Sequence, residues 1–240
     1  MKLKSLREEV LEANLELVRR GLVLFTFGNA SAFDRTTGFV VIKPSGVPYE
    51  KLTAADMVIS DLEGKIVEGN LRPSSDLPTH RSLYAEFGGV NGVVHTHSRY
   101  ATAWAQAGLE IPCLGTTHAD YFRGPIPATR SMQACEIESE YEWNTGRVIA
   151  ERFQGLDPLA TPAVLVSGHA PFCWGPSVTE AAHTAVIVEE LAHMAQLTFA
   201  IRAEVEGISN TLRDKHFLRK HGADAYYGQK GYGSNPSNKE

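Results

Sequence analysis

Two histidines separated by one residue, His95-Thr-His97, close the apolar run Val93-Val94. Side chains alternate along a strand, so both imidazoles should project from one face. A pair of neutral imidazoles suits zinc or a similar borderline divalent cation. His169 follows Gly168 after a second apolar run, and a glycine there lets the chain turn so that the ring leaves the sheet edge. Asp76 offers an oxygen donor. Three histidines with a carboxylate, or with a position left for a substrate oxygen, would make a catalytic rather than a closed structural site. The same residues also allow a plainer reading. Paired histidines at a strand end serve as exposed polar groups, and Ser74, Ser75 and Asp76 can simply cap a helix beginning near Pro78.

Three short segments are suited to anions. Gly28-Asn29 and Lys43-Pro-Ser45-Gly46 each join polar donors to a glycine, and Ser74-Ser75 precedes a helix start where the dipole favours negative charge. Lys43 adds a full positive charge. Ordinary turns use such residues too, so only convergence of the loops would be informative. Two further stretches are dense in titratable groups: Thr116 to Tyr121, with His118 and Asp120, and Asp214 to Tyr227, with His216. Tyr226 and Tyr227 read by themselves as aromatics pinning the end of the chain. His80, His183, His193 and His221 read as structural.

The elements that must carry these groups follow from periodicity. Leu6, Val10, Leu11, Leu15 and Val18 predict an opening helix over 4–20. Leu22–Phe33 and Phe39–Lys43 predict two strands around a five-residue link, and Met57–Ser60 with Lys65–Val67 a second hairpin. Helices are expected from Leu77 to Phe87, over Ala101–Ala107, over 133–153 and over Thr179–Glu206, with strands at Gly92–Thr96 and Pro162–Ser167. The expected fold class is α/β, three layers with a central, predominantly antiparallel sheet. Residues 1–229 are expected to form one domain and 230–240 a disordered tail, since the stretch from Gly228 onward holds few groups able to bury apolar area.

Composition narrows the class. The 240 residues are 43% hydrophobic and 21% charged, as in ordinary globular proteins. A net charge of −5 gives no basic footprint for nucleic acid. The N-terminal 20 residues lack the apolar core of a signal peptide, and no stretch reads as a membrane span. Three cysteines without a C-x-x-C pair argue against a disulfide framework, so a cytoplasmic location is expected.

The stretches Phe27-Gly-Asn-Ala-Ser31, Ile42-Lys-Pro-Ser-Gly46, Pro73-Ser-Ser-Asp76, Val94-His-Thr-His97, Thr117-His-Ala-Asp-Tyr121, Ser167-Gly-His169 and Ala225-Tyr-Tyr-Gly-Gln229 occur in this order. Together they resemble the class II (zinc) aldolase and epimerase superfamily, and within it the L-ribulose-5-phosphate 4-epimerases. The resemblance implies that Asp76, His95, His97 and His169 bind zinc, with manganese or cobalt able to use the same ligands. It implies that Gly28, Asn29, Ser45, Gly46, Ser74 and Ser75 contact a sugar phosphate, with Lys43 nearby. It further implies that Asp120 and Tyr227 form an acid/base pair contributed by different subunits of a ring-shaped homotetramer. The reaction implied is inversion at C4 of a ketopentose phosphate, by breaking and remaking the C3–C4 bond. Aldolases of the superfamily, which cleave ketose 1-phosphates such as L-fuculose 1-phosphate, characteristically carry a glutamate where this sequence has Asp76.

Overall fold

The computed structural model describes residues 1–227. The tail expected to be disordered lies outside them. An opening helix α1 (Lys4–Arg19) precedes two antiparallel hairpins, β1 (Asn29–Asp34) with β2 (Phe39–Ile42) and β3 (Val58–Asp61) with β4 (Ile66–Glu68). Then come α2 (Leu77–Glu86), β5 (Gly92–His95), α3 (Arg99–Ala107), the one-turn helices α4 (Thr116–Ala119) and α5 (Ala134–Ile137), and α6 (Tyr141–Arg152). The chain continues through β6 (Ala163–Leu165), β7 (Pro171–Gly175), the long α7 (Val178–Ile201) and α8 (Asn210–His221).

The seven strands form one sheet in the order β4-β3-β2-β1-β5-β7-β6, every neighbouring pair antiparallel. Alternation along the strands divides the core in two. Ala30, Ala32, Val41, Val94, Leu165 and Cys173 face a layer made by α1, α3 and α7. Phe33, Val40, Ile42, Val93, Phe172 and Trp174 face the opposite layer, where α2 packs on α6. This is the expected three-layer α/β/α arrangement. The register aligns Asn29 of β1 with His95 of β5, and His95 with Phe172 of β7. One row across the sheet therefore carries Asn29 and His95 side by side at the end of β5.

Three local expectations need correction. The strand expected from Leu22 begins only at Asn29, because Phe25 and Gly28 take positive φ values of 51° and 70° and break the extended chain. The helix expected over 133–153 is two helices, α5 and α6, interrupted at Glu138–Glu140. The last long helix ends at Ile201 rather than Glu206. The strand β7 and helix α8 were not expected. Pro171 and Gly175 make β7 look like a turn in sequence, yet Pro171 stands at the strand's first position, where a missing N–H is tolerated. α7 is long and apolar enough to cross a membrane by length and composition, but it packs along β5 and β7 and against α1 and α3 as a core helix.

Candidate metal centre

His95 ends β5, His97 lies two residues beyond it, and His169 sits in the turn between β6 and β7 behind Gly168, whose φ is 73°. Their donor atoms all lie within 4.8 Å of one another, and the facing Nε2 atoms of His95 and His97 are 3.1 Å apart. His95 is buried, stacked on Phe172 with ring centroids 4.1 Å apart, and its Nδ1 is 3.0 Å from the Pro171 carbonyl. A proton on Nδ1 donated to that carbonyl leaves Nε2 as a lone-pair donor turned towards the other two rings. Burial lowers the pKa of His169 to about 4 and that of His97 below its ordinary value, with the neighbouring histidines acting in the same direction. These two rings are thus neutral at neutral pH, as metal ligands must be. Three converging imidazoles fit a zinc-like cation.

Asp76 stands on the wall of the same cavity, of about 360 Å³, with Phe27, Gly28, Ser75, Tyr141 and Glu142 beside the three histidines. It occupies the N-cap position of α2 but caps nothing with its side chain. Its Oδ2 instead accepts a 2.6 Å hydrogen bond from Asn29 Nδ2. Burial raises its pKa, but His95, His80 and the Asn29 hydrogen bond outweigh that and hold the carboxyl below its ordinary value. Asp76 is not within the tight histidine group; it flanks it. Tyr141 and Glu142 were not singled out in the sequence. They open α6, and the Tyr141 hydroxyl lies 3.4 Å from His169 Nδ1. Their only signal is position at a helix start, which carries no chemistry of its own.

The three segments expected to suit anions do meet. Asn29 Nδ2 also donates to Ser74 Oγ at 3.0 Å, Ser74 N donates to the Lys43 carbonyl at 3.0 Å, and Ser45 N donates to the Arg72 carbonyl at 2.9 Å. Gly28 is forced by space as well as by φ: a Cβ there would meet the His95 carbonyl oxygen at 2.8 Å. Ser45, Gly46 and Ser75 are exposed beside this junction. Lys43 is buried beneath it, its Nζ 3.3 Å from the Pro44 carbonyl and 4.7 Å from the Tyr49 ring centroid. Burial lowers its pKa to about 8. The Tyr49 hydroxyl in turn donates to the carbonyls of Phe27 and Gly28.

Asp120 and Tyr227 do not line the histidine cavity. Within one chain both meet Arg219 of α8 instead. The structural readings of His80, His193 and His221 fit their surroundings. His80 is fully buried with Nδ1 2.7 Å from Ser31 Oγ, His193 stacks on Tyr100, and His221 stacks on Phe217. His118 is buried, with Nε2 2.8 Å from the Gly124 carbonyl.

A family model described as class II aldolase and adducin N-terminal domain matches residues 8–196. The chain belongs to this family. Among solved structures, an L-fuculose 1-phosphate aldolase is 23% identical with a TM-score of 0.75, over 88% of this chain and 94% of that one. YgbL of Klebsiella pneumoniae, described as a candidate aldolase/epimerase/decarboxylase, is 25% identical with a TM-score of 0.71, over 90% of this chain and 99% of that one. The L-fuculose-1-phosphate aldolase of Thermus thermophilus is 25% identical with a TM-score of 0.64, over 85% and 98%. Class II aldolases are metal dependent, and the histidine triad of this class II aldolase-family chain is a group able to hold that metal.

Proposed function

We propose that this protein is an L-ribulose-5-phosphate 4-epimerase, interconverting L-ribulose 5-phosphate and D-xylulose 5-phosphate. The observation that carries this reading is Asp76. A short carboxylate, ionised and fastened to Asn29, flanks the histidine triad, at the position where the family resemblance implies a longer glutamate in the aldolases. Held there, it completes a ligand set instead of reaching a substrate proton.

The C4 proton of a ketopentose is not acidic, because its removal would leave a carbanion beside no carbonyl. Inversion at C4 therefore requires the C3–C4 bond to break. The C4 hydroxyl gives up its proton as it becomes the aldehyde of glycolaldehyde phosphate, and the bonding electrons pass to C3 as the enediolate of dihydroxyacetone. His95, His97 and His169 with Asp76 would hold a divalent cation, zinc or alternatively manganese or cobalt, which would supply Lewis acidity for the negative charge that develops on the dihydroxyacetone fragment. The backbone amides and hydroxyls about Gly28, Asn29, Ser45, Gly46, Ser74 and Ser75 hold the phosphate, with Lys43 below them as the positive charge. They must keep hold of the aldehyde fragment while it turns to present its other face. Re-formation of the bond then inverts C4.

Each face of the aldehyde needs a proton-transfer group, and Asp120 and Tyr227 take these roles in this reading. General acid/base groups typically contribute about 10²–10⁴-fold each. Neither lines the cavity of its own chain, which supports active sites shared between neighbours of a homotetramer, completed by residues of a second copy. The free thiols Cys113, Cys135 and Cys173 suit a reducing compartment such as the cytoplasm.

A second reading, an aldolase cleaving L-fuculose 1-phosphate or another ketose 1-phosphate, is favoured by Glu142, which brings a longer carboxylate to the cavity wall. Zinc-loaded protein incubated with L-ribulose 5-phosphate separates the two. Chelator-sensitive formation of D-xylulose 5-phosphate is the expected outcome. Release of dihydroxyacetone phosphate from L-fuculose 1-phosphate, with the pentose phosphate untouched, would make the protein an aldolase.

A further inference from the structure

Away from the histidine cavity, charged and aromatic groups are concentrated where α4 meets α8. Arg219 grips Asp120 with two parallel hydrogen bonds, Nε to Oδ1 at 3.1 Å and Nη2 to Oδ2 at 2.9 Å. The same guanidinium lies 4.7 Å from the centroid of the Tyr227 ring. The Arg219 backbone carbonyl also accepts from the amides of Tyr226 and Tyr227, at 3.0 Å and 3.1 Å. One residue thus holds the carboxylate by its side chain and the tyrosine by both side chain and backbone.

We propose that Arg219 is a positioning residue that fixes Asp120 and Tyr227 as one rigid proton-transfer unit. This rests on the epimerase reading, which gives those two groups their roles. Alone, neither is well placed: Asp120 follows the one-turn helix α4, and Tyr227 lies six residues beyond the end of α8 with its side chain 58% exposed. A two-point arginine–carboxylate fork fixes direction as well as distance, which a lysine's point charge does not. The cation beneath the tyrosine ring adds attraction that is independent of the hydroxyl.

The groups facing Asp120 are His216, whose Nδ1 is 3.0 Å from Oδ1, Arg219 and Lys220, while His221 Nε2 reaches only the Asp120 backbone carbonyl at 2.9 Å. Arg219 faces Tyr226 and Tyr227 as well as Asp120. Lys220 Nζ sits 4.1 Å from the Tyr121 ring centroid and 4.7 Å from that of Tyr227. Burial raises the pKa of Asp120, but the hydrogen bonds from Arg219 and His216 outweigh it and keep the carboxyl below its ordinary range.

The test compares wild type with Arg219→Met and Arg219→Lys, all zinc-loaded. The Asp120 carboxyl carbon is followed by NMR titration of aspartate-labelled protein and assigned with Asp120→Asn. Arg219→Met should raise the Asp120 midpoint by about one pH unit. Arg219→Lys should raise it less, and neither should change bound zinc. With L-ribulose 5-phosphate, kcat should fall roughly 10–100-fold in Arg219→Met and about 10-fold in Arg219→Lys, with KM moving less than about threefold, because misplacement costs rate more than binding. An Asp120 midpoint unchanged in both variants, or a kcat within twofold of wild type, overturns the proposal. Should Arg219→Met not fold, the Arg219→Lys rate and midpoint decide alone. Wild-type protein that leaves L-ribulose 5-phosphate untouched would sink the epimerase reading, and the titration would still decide whether Arg219 holds Asp120.

Discussion

At the histidine cavity, the three rings are not held alike. His95 is aimed by the Pro171 carbonyl and by the Phe172 ring, but His97 is exposed and, among the described residues, is held by no hydrogen bond other than the contact with its neighbour. Replacing it should therefore remove a donor without disturbing the core. His97→Asn is expected to fold with a melting temperature close to wild type and to lose bound zinc on dialysis, measured by atomic absorption. Unchanged zinc content would contradict its assignment as a ligand. Lys43 presents the opposite case, a charge buried at a cost. Its folded pKa of about 8 lies below the usual unfolded value near 10.4, so between those values the folded state binds fewer protons and stability rises with pH. Phosphate binding needs the protonated form and should weaken above about pH 8. Lys43→Met should flatten that alkaline rise of KM, raise KM at neutral pH, and increase the melting temperature by roughly 2–4 °C for each kcal/mol of burial cost removed. A lowered melting temperature would show the ammonium to be stabilising where it lies.

Two elements set the cavity walls, α2 beginning after Asp76 and α6 beginning with Tyr141, and they pack closely because Gly146 leaves room. A Cβ on Gly146 would sit 2.5 Å from the Ser82 Cβ and 3.3 Å from the Thr79 carbonyl oxygen. Gly146→Ala should push the helices apart and destabilise the fold by about 1–3 kcal/mol, the usual range for overpacking. It should also weaken zinc affinity, because Asp76 and Tyr141 move with their helices. Thermal melts with and without zinc measure both, and a stability loss with unchanged zinc affinity would separate the wall from the ligands. The alternation that puts His95 and His97 on one side, the glycine turn before His169 and the helix start after Asp76 were all legible in the sequence, because each is set by local geometry. The long-range pairings were not. Nothing near Tyr141 foretells His169, and nothing in Asp120 foretells Arg219, 99 residues away. The same limit hid β7, whose flanking proline and glycine mimic a turn until its neighbours β5 and β6 supply the hydrogen bonds.

For the molecule as a whole, the cavity and the Asp120–Arg219–Tyr227 cluster are separate features of one chain, and the proposed reaction needs them together. α7 also exposes Leu197 and Ile201, at 51% and 87%, an apolar face of the kind that subunit contacts cover. If the site forms between neighbours in a ring, a chain lacking a ligand can still lend its proton-transfer unit to the next subunit. Mixing His97→Asn with Tyr227→Phe subunits, each inactive alone, tests this by complementation after dissociation and reassembly. In a randomly mixed ring from equal amounts, a site is intact only when one neighbour supplies an unaltered Tyr227 and the other an unaltered His97, so about one quarter of sites should recover. Epimerase activity near that fraction of wild type is the expected result. Mixed subunits that assemble but stay inactive would place both halves of the site within one chain, and would require Asp120 and Tyr227 to reach their own histidine cavity by a rearrangement of α8.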